Sequence, residues 1–160
     1  MRSLLAVLLL VFASAPALAA DATQGFLAQA VAVNKFQLAA SQHALRKTQS
    51  NVVHDFAHQQ VLDYSVASMK LRQAAEDTKM PLHDVLDPAH KALLDTLTRT
   101  APGKTLSKAY FETEEKVLRA DSAIFEAYAK TGDNERLKLY AQEMVPVLQS
   151  QLEQLGKLHK

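Results

Sequence analysis

Four glycines and five prolines are all that punctuate 160 residues. Between them, apolar residues recur at intervals of three and four, the repeat of one helix face. Alanine, leucine, glutamine, glutamate and lysine fill these stretches, and all favour helix. The first stripe is Phe26, Ala30, Val33, Ala40 and Ala44, which predicts a helix over residues 23–47. Val53, Phe56, Gln60, Tyr64, Ala67, Leu71 and Ala74 predict a second over 51–78, with Asn51 as its N-cap and Pro81 as its stop. Asp87-Pro88 reads as an N-cap followed by proline at the first helical position, opening a short helix over 88–98. Phe111, Leu118 and Phe125, beside Tyr110, Val117 and Ile124, mark a helix over 106–131. Gly132 is expected as its C′ residue and Asp133 as the cap of a last helix over 134–158. In that last helix the stripe of Leu137, Ala141, Met144, Leu148, Gln151 and Leu155 keeps phase across Pro146, so a kink rather than a stop is expected there. Two helical hairpins joined by a long crossover make an all-α, ferritin-like four-helix bundle, with the short helix in the crossover.

Residues 1–19 stand outside this pattern. Arg2 precedes an apolar run over residues 4–12, and small residues ending in Ala17-Leu18-Ala19-Ala20 follow. Charge, apolar run and small-x-small site, in that order, describe a bacterial secretory signal peptide. The run is shorter than the roughly 20 residues that span a bilayer as a helix. Cleavage is expected after Ala19, with Ala20 as second choice, leaving residues 20–160 as a single domain in the periplasm or medium and not inserted in the membrane. Removing Arg2 takes the 18 basic residues to 17, against 17 acidic ones. A neutral chain offers neither nucleic acid nor an anionic membrane surface the clustered Lys and Arg they require. The absence of cysteine excludes disulfides, thiol chemistry and thiolate metal sites.

Several segments then resemble a known family. They are Phe26-Leu27, the run from Ser50 to Phe56, Val61-Leu62-Asp63, the segment from Leu82 to His90, Phe125-Glu126, and Val145-Pro146-Val147-Leu148. In order and spacing they resemble the domain-of-unknown-function 4142 family of exported, ferritin-like helical proteins. The resemblance covers the chain from Phe26 to Leu158. It implies inward-facing ligand-type residues: a glutamate on the first long helix, a histidine after an aspartate on the second, and one histidine on each of the last two. Those positions fall on Gln37, Tyr64, Leu118 and Gln151 here, with Asp63 retained before Tyr64. The chain therefore reads as a degenerate member with neither metal nor cofactor. Gln37, Tyr64 and Gln151 are expected to form a polar network around Leu118.

The remaining constellations read as surface. His54 and His58 are spaced to share a metal but lie off the core stripe, with only Asp55 beside them. His43, His83, His90 and His159 are isolated. Glu112, Glu114 and Glu115 crowd the start of a helix, where the dipole favours acids. Glu114 and Asp121 alone sit next to the core stripe. Residual metal candidates are thus Asp63, Glu114, Asp121, His54 and His58. No Ser-His-Asp order, glycine-rich phosphate loop or nucleophile elbow is present. The expectation is a non-enzymatic exported bundle acting as an envelope accessory or protein-binding factor, against an alternative of metal-binding or redox stress protection. The identity of any protein partner and the oligomeric state are not legible in these residues.

Overall fold

The computed structural model describes residues 15–158, with side chains from Ala22 onward. The charged and apolar segments of the expected signal peptide, and His159, lie outside these residues. Five helices follow one another: α1 (Ala15–Lys47), α2 (Asn51–Asp77), α3 (Pro88–Arg99), α4 (Lys104–Thr131) and α5 (Glu135–Leu158). The fold is all-α. Helix α1 begins at Ala15 rather than near residue 23, so the expected cleavage point falls within it.

Local chemistry explains the joints, with some corrections. Ser50, not Asn51, caps α2, its hydroxyl accepting from the Val53 N–H. Asn134, not Asp133, caps α5: its Oδ1 accepts from the Arg136 and Leu137 N–H groups, each at 3.1 Å. Asp87 caps α3 through the His90 N–H at 2.9 Å, with Pro88 at the first position as the sequence predicts. The end of α2 is a Schellman motif. Met80 N–H reaches the Ala75 carbonyl at 2.9 Å, Lys79 N–H reaches that of Glu76 at 3.0 Å, and Lys79 takes the left-handed position with φ 57°.

Gly132 is not a left-handed C′ residue, since its φ is −59°. Glycine is needed there for space, because a Cβ would stand 2.5 Å from Cε1 of the Tyr128 ring. Gly103, with φ 87°, supplies the left-handed turn into α4.

Helices α1 and α2 form one hairpin and α4 and α5 the other; α2 packs on α5, α1 packs on α4, and α3 lies against α1 and α4. Named contacts give the directions. Asp77 pairs with Arg136, Lys70 with Glu143, and Asp63 meets Gln151, so α2 and α5 run antiparallel. Thr23 meets Tyr128 and Ser41 meets Tyr110, so α1 and α4 do too. This is the two-hairpin, long-crossover bundle. Phe26 plugs the end near the α4–α5 joint, stacked on Tyr128 at 3.8 Å and edge-on to Phe125 at 5.3 Å. Helix α5 continues through Pro146 to Leu158.

Candidate functional site

The four positions singled out by sequence all reach the core: Gln37, Tyr64 and Leu118 are fully buried and Gln151 nearly so. They do not form one network. Tyr64 Oη donates to Gln151 Oε1 at 3.2 Å, and Gln151 Nε2 donates to Asp63 Oδ2 at 3.0 Å. Asp63 also accepts from Gln59 Nε2 at 2.7 Å, which carries the chain of bonds outward to solvent. Burial, followed by the charges of Glu114 and Asp121, pushes the Tyr64 phenol well above its usual range, so it acts as a neutral donor. Gln37 takes no part, and neither of its amide atoms has a hydrogen-bond partner. Leu118 is fully buried within the apolar core.

Gln37 belongs to a different layer. Phe56 of α2 meets Tyr110 of α4 edge-on at 6.2 Å, which fixes the register of these two helices. One turn further along them stand Gln60 and Glu114. Gln37, Gln60 and Glu114 are 0%, 1% and 0% exposed, and all six of their side-chain amide and carboxyl atoms lack a hydrogen-bond partner. An unpaired buried polar group costs about 1–3 kcal/mol, and an ionised one more. Burial accordingly drives the Glu114 carboxyl up to about 8. The nearby Gln37 amide opposes that rise from outside hydrogen-bonding geometry, and the Asp121 carboxyl adds to it. The neighbouring polar pairs are satisfied: Ser41 meets Tyr110 Oη at 2.9 Å, and Asn34 and Tyr140 exchange bonds at 3.0 and 3.2 Å.

Asp121, two turns beyond Glu114, is buried at the edge where α3 covers the bundle. His90 of α3 sits with Phe36 beneath it at 5.2 Å between ring centroids. Its Nε2 lies 3.9 Å from Asp121 Oδ1, and its Nδ1 bonds to Asp87. Burial lifts the Asp121 carboxyl to about 7; His90 opposes the rise and Asp87 adds to it. For Asp87, burial is outweighed by bonds from His90, and its carboxyl is held below its usual range. The surface reading of His90 is thus corrected: its side chain is 14% exposed and faces a core carboxyl. His43 is corrected too, being half-buried with its Nε2 unpartnered.

The other candidates stay apart. His54 and His58 are exposed, with parallel rings 6.4 Å between centroids. Glu112 and Glu115 pair with Lys108 and Arg119 on the surface. Among the described residues no three His, Cys, Asp or Glu side chains converge to hold a metal ion. A ferritin-like metal centre does not fit the residues present. The four inward positions supply two amides, a phenol and a leucine, and Glu114 favours its neutral form.

Outside the core, α2 carries Leu62, Val66 and Met69 at spacings of four and three, 50%, 46% and 64% exposed. Apolar periodicity does not single out Asn34, Ser41 or Tyr140 as buried polar partners; the one signal for Asn34 and Ser41 is that they share helical phase with Gln37. Among the described residues no helix is long and apolar enough to cross a membrane.

The chain matches the family model described as domain of unknown function DUF4142 over residues 10–158. No curated protein matches it in sequence. A crystal structure of a DUF305 fragment from Deinococcus radiodurans is similar, with a TM-score of 0.74 at 12% identity, covering 86% of this chain and 94% of that one. At that identity the likeness is one of fold.

Proposed function

The chain belongs to the DUF4142 family, and from that premise we propose that the protein is an exported, non-enzymatic helical bundle of the periplasm that works by binding a protein partner at its surface. One observation carries the reading: the Leu62, Val66 and Met69 stripe on the solvent side of α2. Spacings of four and three are those with which a helix meets another helix. Single exposed apolar residues are ordinary, but three in helical register on one face form a surface a partner helix can cover. The interior supports the same reading, because its polar residues are spent on one another or sealed from solvent.

Two measurements test this. Mass spectrometry of periplasmic material should find a chain starting at Ala20 or Asp21; a full-length species in the membrane fraction overturns export. A photo-crosslinking residue at position 66 should give a discrete adduct in the envelope, lost in a Leu62→Glu, Met69→Glu variant whose melting curve is unchanged. No adduct, or one indifferent to that variant, overturns the surface role. Stoichiometric, chelation-resistant metal in the purified protein would overturn the non-enzymatic reading.

A further inference from the structure

The acid at the centre of the bundle has no use in surface binding. Glu114 is fully buried, both its oxygens lack a hydrogen-bond partner, and it shares its layer with the equally unpartnered Gln37 and Gln60. The groups that face it directly lie on α1, α2 and α4, and those of α3 and α5 reach it only through these. Helix α1 offers the Gln37 amide, and α2 offers the Tyr64 phenol and, from the same layer, Gln60. On α4 the titratable neighbours are Tyr110 and Asp121, and α5 brings Tyr140 and Gln151 to Tyr64. From α3, His90 and Asp87 act on Asp121. None of these is a lysine or arginine, and no ion pair reaches Glu114 among the described residues. A negative charge there would meet another carboxyl and two phenols, with no cation in contact.

We propose that the bundle folds around Glu114 as a neutral carboxylic acid, and that loss of its proton to solvent loosens the layer joining α1 and α2 to α4, making this residue a proton switch in the core. The sign follows from linkage. The carboxyl titrates at 4.5 in the open chain and at about 8 in the bundle. Its contribution is complete below 4.5, declines as pH rises through the interval, and levels off above about 8. Within that window the folding equilibrium falls by about tenfold per pH unit from this group.

The test compares thermal and urea midpoints of the wild-type protein and Glu114→Gln from pH 5 to pH 9. Glutamine keeps the shape and cannot ionise, so the wild-type midpoint should fall between pH 5 and 8 markedly more than that of the variant. Equal slopes overturn the switch. Should Glu114→Gln fail to fold, Glu114→Met serves the same comparison. An infrared measurement on Asp121→Asn gives a second readout. With the other buried acid removed, a neutral-carboxyl band should be present at pH 6 and vanish by pH 9. Absence of that band at pH 6 in the folded protein overturns the proposal whatever the melting curves do.

Discussion

Lys79 and Glu114 are the two residues that sit least comfortably in this molecule, for opposite reasons. Lys79 holds the left-handed position of the Schellman motif, with φ 57°. A side chain in that conformation costs roughly 1–2 kcal/mol, whereas glycine enters it freely at the expense of a floppier unfolded chain. Lys79→Gly should therefore raise stability by ~0.5–1 kcal/mol, roughly 1–4 °C in Tm by calorimetry. A lower Tm would mean that the lysine side chain contributes more than its backbone costs. The strain at Lys79 is local and relieved by one substitution. That at Glu114 is a matter of surroundings, because the same side chain at the surface would ionise without difficulty. Tyr64 and Gln151 show how the interior avoids such a conflict elsewhere, since Asp63, at the rim, accepts the last hydrogen bond in their chain.

Among the elements, α5 and α3 carry the most information. Helix α5 contains Pro146, which has no N–H for the carbonyl one turn back, yet the helix runs to Leu158 because Leu137, Met144, Leu148 and Leu155 are buried on one face across it. Pro146 itself is exposed, so replacing it removes no core contact. Alanine is the better helix residue by ~3 kcal/mol. Pro146→Ala is accordingly expected to raise the midpoint of urea unfolding; a lower midpoint would show that proline at this position helps seat Met144 and Leu148. Helix α3 is legible in sequence from Asp87-Pro88 and its leucines, but not its closeness to Asp121. His90 has no periodic partner in sequence and becomes a core neighbour only because the crossover folds back across α1 and α4. The misplaced caps have a simple cause: Ser50-Asn51 and Asp133-Asn134 each offer adjacent residues able to cap, and the final turn of backbone selects between them.

For the molecule as a whole, the buried acids set an unusual pH dependence. Asp121 moves from 3.8 to about 7 and Glu114 from 4.5 to about 8, so each binds a proton in the folded state that the unfolded chain releases earlier. Stability from both falls as pH rises through those intervals. His43 works the other way, its pKa lowered by burial and then by Arg46 and Lys47, so it favours folding as pH rises toward 6.5; being only half-buried, it contributes less than the two core acids. The urea midpoint is therefore expected to be higher at pH 5 than at pH 8. An equal or higher midpoint at pH 8 would show that the two carboxyls ionise without cost. Much of the molecule is determined by sequence alone. Helical period and sparse punctuation delimit five helices, the short α4–α5 joint forces a hairpin, and Gln37, Tyr64, Leu118 and Gln151 are placed inward because their phase matches the apolar stripes. What tertiary structure decided is which of those inward groups meet. Period specifies a face but not the longitudinal register between helices. That register brings Tyr64 to Gln151 and leaves Gln37 and Gln60 in the layer of Glu114. Whether a carboxyl is charged depends on what faces it across the bundle, and that is a property of packing.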